Sequence, residues 1–268
     1  VDIEKRIAFN PLRSVSIRFL LNNINACDEV WAVSEGAGEN LRSLGYLGEY
    51  QIMENGTDFE RGCASKEAVM RLNQMYGIGS DETVFLFVGR MMWYKNLKLV
   101  IDGLKHAQDA GKSFKMFFVG EGADREEIMD YVEAQGLKDQ CIFTGAIHDR
   151  DWLRTYFTRA DLFLFPSTYD TNGIVVREAA ACGLPALMVL GSCAAEGITH
   201  EDTGILINES SVELGDEIIK AVADRERLRA IGRNATDKIY LSWDDAVKKA
   251  YMRYLVVLEE KTKRLKDA

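Results

Sequence analysis

The sequence contains few prolines, few histidines and no closely spaced cysteines, and each shortage excludes a class of protein. Only 3 prolines occur in 268 residues, of which 47% are hydrophobic and 28% charged, a composition typical of folded globular domains rather than disordered or fibrous chains. The 3 histidines lack the spacing of metal ligands. The 5 cysteines lie far apart, without any Cys-x-x-Cys pair, in a chain too large to need disulfide staples, which favours a reducing, cytoplasmic location.

Long apolar runs and an excess of positive charge are also missing. No run approaches the ~20 apolar residues that a membrane-spanning helix needs, so we expect any membrane contact to be peripheral. The formal net charge of -9 argues against nonspecific binding to nucleic acid, although a local basic cluster around a phosphate-bearing ligand remains compatible with it. Because the first residue is Val1 rather than methionine, we also expect upstream residues to have been removed.

From Thr83 onward, short apolar runs alternate regularly with helical stretches. This alternation predicts βαβ units and a parallel sheet, in an α/β domain of the doubly wound, Rossmann-like type. Between the first two runs, Leu97, Val100 and Leu104 recur at helical spacing and predict a crossover helix. The predicted strands are 84–88, 115–119, 141–144, 161–165, 186–189 and 204–207, and the further predicted helices are 124–135, 149–159 and 174–182.

The two ends of the chain carry other predicted elements. An amphipathic opening segment, 1–25, precedes a strand at 28–33, a helix at 35–43 and a strand at 51–54, which together look like the last part of a different sheet. Downstream, three helices are predicted at 211–223, 225–240 and 244–266.

The clearest local motif is Gly89-Arg90 followed by Lys95, placed where a buried strand ends and a crossover helix begins. Ligands of open α/β sheets bind at that edge. Two cations five residues apart, beside a helix N-terminus, can both reach one diphosphate. The alternative is a pair of solvated surface charges.

A second motif, residues 167–174, follows the predicted strand 161–165 and leads into a helix. Gly173 allows close backbone approach, and the free amides of the helix start favour anionic oxygens. Within the helix, Glu178 interrupts an apolar run, and a carboxylate there needs hydrogen-bond donors. The donors could be the ribose hydroxyls of a nucleotide or, in a purely structural role, Arg177 or a backbone amide.

Three other motif matches fail. Residues 120–122 follow a strand, but the third glycine of a dinucleotide fingerprint would fall at Arg125, so a tight turn is favoured. Residues 111–113 imitate the end of a P-loop but follow a helix. Asp149 and Asp151 resemble a metal-binding pair but lie where a helix begins, which favours helix capping.

Taken in order, these pieces resemble the family 4 retaining glycosyltransferases, which have the GT-B fold of two facing Rossmann-like domains. Residues 32–34 are similar to the last strand of the family's N-terminal domain, and residues 54–58 look like the interdomain linker. Residues 89–95 resemble the diphosphate-binding segment, 119–122 the turn after the second strand, and 143–147 the loop beside the nucleobase.

The family signature of two glutamates separated by seven residues stands here as Asp170 and Glu178, so the first side chain is one methylene shorter. The resemblance implies that Glu178 binds the ribose hydroxyls and that Asp170 holds sugar hydroxyls. It also implies that Asn172, Gly173 and Ile174 offer main-chain amides to the sugar and the phosphates. Asn172 stands where many relatives carry an aromatic residue, a departure that bears on sugar preference.

In this family a nucleoside diphosphate leaves the anomeric carbon with retention of configuration, through an oxocarbenium-like transition state. The resemblance implies that Gly89, Arg90 and Lys95 bind the leaving diphosphate, where the cations act most strongly on the transition state. It places Ala146 and Ile147 beside the nucleobase. No metal is needed, and no cofactor is expected beyond the donor substrate. The implied catalytic residues are Arg90, Lys95, Asp170 and Glu178.

The resemblance also divides the chain. It implies a remnant of the acceptor-side N-terminal domain at 1–57, a nucleotide-sugar donor-binding domain at 58–241 and a C-terminal helix at 242–268. With the N-terminal domain truncated, we expect a hexosyltransferase chain that binds donor without transferring it.

The implied partners are a nucleotide-sugar donor and a sugar, lipid or glycan acceptor, with no nucleic acid and with peripheral membrane contact through the missing domain. Two alternatives stay open. One is another GT-B enzyme acting on nucleotide sugars, and the other is a noncatalytic nucleotide-sugar-binding or interaction module.

Overall fold

The computed structural model describes residues 11–267, with the backbone alone for residues 11–14. The chain divides into two compact units. The larger unit is Asn55–Trp243, and the smaller unit joins the described parts of Val1–Glu54 and Asp244–Ala268. Within residues 11–267, no helix combines the length and the apolar character that crossing a bilayer requires.

Helices and strands alternate along most of the chain, and two short 3₁₀ turns, Trp93–Lys95 and Cys193–Ala195, interrupt the connections. The elements in chain order are α1 (Pro11–Asn25), β1 (Val30–Ala32), α2 (Glu35–Ser43), β2 (Tyr50–Ile52), α3 (Lys66–Tyr76), β3 (Val84–Val88), α4 (Leu97–Asp109), β4 (Lys115–Val119), α5 (Arg125–Ala134), β5 (Cys141–Gly145), α6 (Arg150–Arg159), β6 (Leu162–Leu164), α7 (Ile174–Ala181), β7 (Ala186–Val189), β8 (Ile205–Ile207), α8 (Ser211–Ala223), α9 (Arg225–Lys238) and α10 (Trp243–Asp267).

Six strands of the larger unit form one sheet in the order β5-β4-β3-β6-β7-β8. Each strand pairs in parallel with its neighbours. Parallel sheets are covered on both faces, and residues 84–87 of the central strand β3 are accordingly fully buried. The chain builds outward from β3 on one side and then returns to β6 on its other side. This is the predicted doubly wound α/β arrangement, with its topological switch point between β3 and β6.

The crossover helix α4 uses the apolar stripe expected from its spacing. Leu97, Val100 and Leu104 are all fully buried, whereas Lys98 is exposed. Helix α4 packs against α8. The periodicity of the apolar residues therefore predicted both the helix and the face that it buries.

Helix α3 is absent from the predicted elements, although both its ends carry ordinary signals. Ser65 caps the N-terminus by accepting a hydrogen bond from the amide of Ala68, and Gly77 ends the helix in the left-handed conformation, with φ 63°. Within this described helix only Leu72 is buried. The apolar stripe is too short for periodicity to reveal the helix, whereas its caps could have done so.

Strand β6 is shorter than the predicted strand 161–165, and the Asp161 side chain binds at its start. One carboxylate oxygen of Asp161 accepts a hydrogen bond from the amide of Val84 at 2.9 Å. The other accepts from Arg225 Nε at 2.8 Å. The start of this strand is thus held by the Asp161 side chain together with its backbone amide, which donates to the Val84 carbonyl at 2.7 Å.

The smaller unit contains β1 and β2, which pair in parallel and are shorter than the predicted strands 28–33 and 51–54. Just before β1, Glu29 accepts hydrogen bonds at 2.9 Å from Arg253 Nε, a residue of α10. These hydrogen bonds lower the pKa of Glu29. Helix α10 is therefore tied by an ion pair to the segment before β1.

The division into units differs from the predicted domain boundaries. The units divide at residues 54/55 and 243/244, against predicted boundaries at 57/58 and 241/242. Residues 1–10 of the predicted amphipathic opening segment lie outside the described residues. The assignment of residues 1–57 to an acceptor-side domain stays a prediction.

The loops that follow β3 and β4 contact each other through their backbones. The amide of Gly89 donates to the carbonyl of Val119 at 3.0 Å, and the amide of Met91 donates to the carbonyl of Glu121 at 3.0 Å. Gly120 has φ 139°, and a Cβ at this position would lie 1.9 Å from the Gly89 carbonyl oxygen. The turn at 120–122 therefore needs glycine so that the two loops can approach this closely.

We expect Gly120→Ala to lower the free energy of unfolding by more than about 2 kcal/mol, because the added methyl both overlaps Gly89 and demands a strained backbone. Gly136→Ala is the matched control. Its φ of 72° is also positive, but a Cβ there meets nothing within 4 Å, so only strain of about 1 kcal/mol is expected. Urea unfolding measures both losses. Equal losses would show that the contact with Gly89 carries no cost.

Candidate functional site

A cavity of about 240 Å³ opens at the switch point of the sheet. The loop after β3 contributes Gly89 and Lys95 to its wall, and the segment after β6 contributes most of the rest. Since β3 and β6 are neighbours in the sheet, their carboxyl ends bring these two segments together. The predicted site residues that line this cavity are Gly89, Lys95, Asp170, Asn172, Gly173 and Ile174.

A second cavity, of about 390 Å³, adjoins the first and shares Val88 and Gly89 with it. Its wall includes Arg90 from the loop after β3, and Ala146 and Ile147 from the loop after β5. The walls of the two cavities together therefore contain every predicted nucleotide-sugar-binding residue except Glu178.

Lys95 and Asp170, which the sequence predicted separately, form an ion pair. Lys95 Nζ donates to Asp170 Oδ1 at 2.5 Å, and the lysine side chain is only 9% exposed. Such a buried charge is costly without its partner. Asp170 Oδ2 is also buried and has no hydrogen-bond partner among the residues described, so it can accept a hydrogen bond from a ligand hydroxyl.

Arg90 remains exposed beside this ion pair. Its Cζ lies 5.8 Å from the centroid of the Tyr94 ring, and Lys95 Nζ lies 5.5 Å from the same centroid. Tyr94 in turn meets Tyr169 edge-on at a centroid distance of 5.7 Å. Sequence reasoning missed both tyrosines. The sequence held a signal that could have revealed them, because Tyr94 immediately precedes Lys95 and Tyr169 immediately precedes Asp170.

The N-terminus of α7 borders the first cavity. Gly173, the residue before the helix, is left-handed with φ 54° and ψ 51°. The first turn contains no acidic side chain that would neutralise the helix dipole. Gly173 and Ile174 both line the cavity, so the amides of this helix start are available to an anionic oxygen there.

Glu178 lies one turn further along α7 than Ile174 and is 6% exposed. Its Oε1 accepts a hydrogen bond from Arg150 Nη2 at 2.7 Å. Burial raises the pKa of Glu178, while the hydrogen bond from Arg150 acts in the opposite direction. Arg177, which the sequence suggested as a structural partner, instead donates to the carbonyl of Ile239 at 2.9 Å. That suggested pairing is wrong, because Arg177 points toward the end of α9.

Asp149 has the predicted capping role, since its Oδ1 accepts a hydrogen bond from the amide of Trp152 at 3.0 Å. Across residues 11–267, no group of three or more His, Cys, Asp or Glu side chains is placed to hold a metal ion. The expectation that the site needs neither metal nor cofactor stays a prediction. Sequence reasoning weighed the two aspartates at 149 and 151 but missed Arg150 between them.

The glycosyl transferases group 1 family model matches residues 71–238, which is more than half of the chain. Similarity to curated proteins extends further. An uncharacterized glycosyltransferase of Methanocaldococcus jannaschii is 28% identical over 89% of this chain and 62% of its own length. The N-acetyl-alpha-D-glucosaminyl L-malate synthase of Bacillus anthracis is 26% identical over 65% of this chain and 45% of its own length. The chain thus spans less than two thirds of either relative.

Solved structures show the same fold. The crystal structure of Anabaena HepE in complex with UDP and glucose matches with a TM-score of 0.75. The match covers 90% of this chain and 67% of HepE at 20% sequence identity. At that identity the likeness bears on the fold alone, which is α/β and of the GT-B type.

We expect Asp170→Asn to lower the free energy of unfolding by about 2 kcal/mol or more, because it leaves the Lys95 charge buried without an opposite charge. Lys95→Met should cost less, since the Asp170 side chain is 23% exposed against 9% for Lys95. The double variant should lose less than the two single variants added together. Urea unfolding provides the free energies.

The exposed pair of Lys138 and Glu133 is the matched control for this cycle. Its side chains are 69% and 61% exposed, so Glu133→Gln should change the free energy of unfolding by less than about 0.5 kcal/mol. If Asp170→Asn cost no more than Glu133→Gln, the ion pair of Lys95 and Asp170 would contribute nothing to folding.

Proposed function

Because this chain belongs to the glycosyl transferases group 1 family, we propose that its larger unit binds a nucleotide-sugar donor at the switch point of the parallel sheet. The observation that carries this proposal is the cavity in which Lys95, Asp170 and the N-terminus of α7 converge. A buried cation and free helix amides are the groups that bind phosphate oxygens.

The donor would extend over both cavities. Lys95, Arg90 and the amides of Gly173 and Ile174 would hold the diphosphate at the centre, because the cations and the helix start lie there. The sugar would then lie beside Asp170, whose Oδ2 is free to accept a hydroxyl. The nucleobase would occupy the second cavity, whose wall includes residues of the loop after β5.

The relatives support a sugar transfer rather than another use of nucleotides. One relative is named for a glucosaminyl product, and HepE was crystallised with UDP and glucose. We therefore infer a hexose donor, with the nucleobase left to experiment.

The chemistry proposed is transfer of the sugar with retention of configuration. The bond between the anomeric carbon and the diphosphate breaks, an acceptor hydroxyl oxygen bonds to the same face of that carbon, and its proton passes to the departing diphosphate. Negative charge then accumulates on the leaving phosphate. Arg90, Lys95 and the helix amides would stabilise that charge more in the transition state than in the ground state, which accelerates the reaction. Asp170 would orient the sugar, and Glu178 would hold the ribose so that the reacting bond stays in place.

The acceptor belongs to the activity of the whole protein. The chain spans 62% of the M. jannaschii relative's length, and we propose that the acceptor is bound with the help of residues outside the matched region. A sugar, lipid or glycan acceptor fits this proposal.

We expect the chain to bind UDP, GDP or ADP in the presence of EDTA, because cations of the protein rather than a metal supply the positive field. Calorimetry measures the affinity. Lys95→Met should weaken it about tenfold or more, which corresponds to the loss of one charge-assisted hydrogen bond. Lys138→Met removes a lysine that is 69% exposed and should leave the affinity unchanged. Failure of all three nucleotides to bind at millimolar concentration would refute the proposal.

Glu178→Gln should weaken nucleotide binding about tenfold or more while folding persists, because it removes charge but keeps size and one hydrogen-bond acceptor. Calorimetry gives the affinity, and thermal unfolding gives the stability of the same samples. A lower unfolding temperature together with unchanged affinity would assign Glu178 a purely structural role.

A further inference from the structure

The orientation of the Arg150 side chain is restrained more strongly than that of a typical surface arginine. It is the first residue of α6, and its Nη2 donates both to Glu178 Oε1, at 2.7 Å, and to Asp58 Oδ1. Its Cζ also lies 4.2 Å from the centroid of the buried Phe59 ring. An ion pair and a stacking ring restrict a guanidinium to one orientation, which in turn restricts the carboxylate that it binds.

The Glu178 carboxylate is only partly used by this contact. Among the described residues, Arg150 alone hydrogen-bonds it, and it does so through Oε1. A buried carboxylate normally has more than one donor. Oε2 therefore remains able to accept a further hydrogen bond. Because Arg150 holds Oε1, it also sets the direction in which Oε2 points.

Neither Arg150 nor Glu178 lines either of the two cavities, but each has a neighbour on its own helix face that does. Arg150 shares a helix face with Leu153, three residues later, which lines the second cavity. Glu178 shares a helix face with Ile174, four residues earlier, which lines the first cavity. A ligand that spans the two cavities would contact Leu153 and Ile174, the helix neighbours of this pair.

We propose that Arg150 is a positioning residue, which holds the Glu178 carboxylate so that Oε2 meets the ribose hydroxyls of the bound nucleotide. This inference rests on the proposed function of the site. It assigns to Arg150 an effect on ribose recognition that acts through Glu178 and requires no contact between Arg150 and the ligand.

Arg150 also opposes the protonation of Glu178. Burial raises the pKa of Glu178, the Arg150 hydrogen bond lowers it, and Asp58 raises it. Cys182, near the end of the same helix, stays a neutral thiol because burial raises its pKa to about 12. Removing Arg150 leaves only influences that favour the protonated acid. Glu178 would then lose its charge as the pH falls, at a higher pH than in the wild type.

The test compares Arg150→Met, Arg150→Lys, Glu178→Gln and the double variant of Arg150→Met with Glu178→Gln. The probe is whichever of UDP, GDP and ADP the wild type binds most tightly, together with its 2′-deoxy and 3′-deoxy forms. We expect Arg150→Met to weaken binding about tenfold at neutral pH, with no further loss in the double variant. It should also lose most of the preference for ribose over the deoxyribose forms.

The pH profile separates positioning from general stabilisation. The affinity of Arg150→Met relative to the wild type should rise with increasing pH, because Glu178 regains its charge. The ratio cancels the titration of the ligand itself. Arg150→Lys keeps a cation beside Glu178 and should restore part of the affinity and part of the wild-type pH dependence. This variant also keeps the test decisive if Arg150→Met fails to fold.

Arg154 provides the matched control. It lies on the same helix with its Cζ 4.8 Å from the same Phe59 ring. Its Nη1 donates to the carbonyls of Glu60 and Gly62, at 2.7 Å and 3.0 Å. Arg154→Met should lower the unfolding temperature but leave the nucleotide affinity, the ribose preference and the pH profile as in the wild type.

Two failures are distinguishable. If the wild type binds none of the three nucleotides, the proposed function fails, and this inference fails with it. If the wild type binds but Arg150→Met and Arg154→Met match in affinity, ribose preference and pH profile, the positioning role alone is overturned.

Discussion

All six strands of the larger sheet run in the same direction, and this constraint decides where the chemistry of the molecule can lie. Every loop that leaves a strand at its carboxyl end arrives at one edge of the sheet. Lys95 and Asp170 are 75 residues apart in the chain, yet they meet because β3 and β6 are neighbours. The loops after β4 and β5 reach the same edge and form the second cavity.

The carboxylates that precede and follow β6 differ in their hydrogen bonding. Asp161, before the strand, has both oxygens hydrogen-bonded, one to the Val84 amide and one to Arg225. Asp170, after the strand, has one oxygen on Lys95 and the other without a partner among the described residues. The first arrangement is complete without a ligand, whereas the second leaves a buried acceptor that a ligand can satisfy.

Much of the fold could be predicted from the sequence, because apolar runs and helical spacing are local properties. The strand ends at Val88 and near Phe165 located the candidate site, since the ends of parallel strands share an edge. Pairings between distant side chains could not be predicted. Glu178 and Arg150 are 28 residues apart, and Glu29 and Arg253 are 224 residues apart. No local spacing pattern in the sequence therefore identifies either pair.

The ion pair of Lys95 and Asp170 gives the site a charge that is already in place before any ligand arrives. Asp170 offsets the cost of burying the ammonium group of Lys95, a residue that lines the cavity. An incoming diphosphate therefore meets a cation that is already buried and paired with Asp170. Little solvent has to reorganise around Lys95 when the ligand binds. Such preorganisation shifts the electrostatic work from the moment of binding to the folding of the chain.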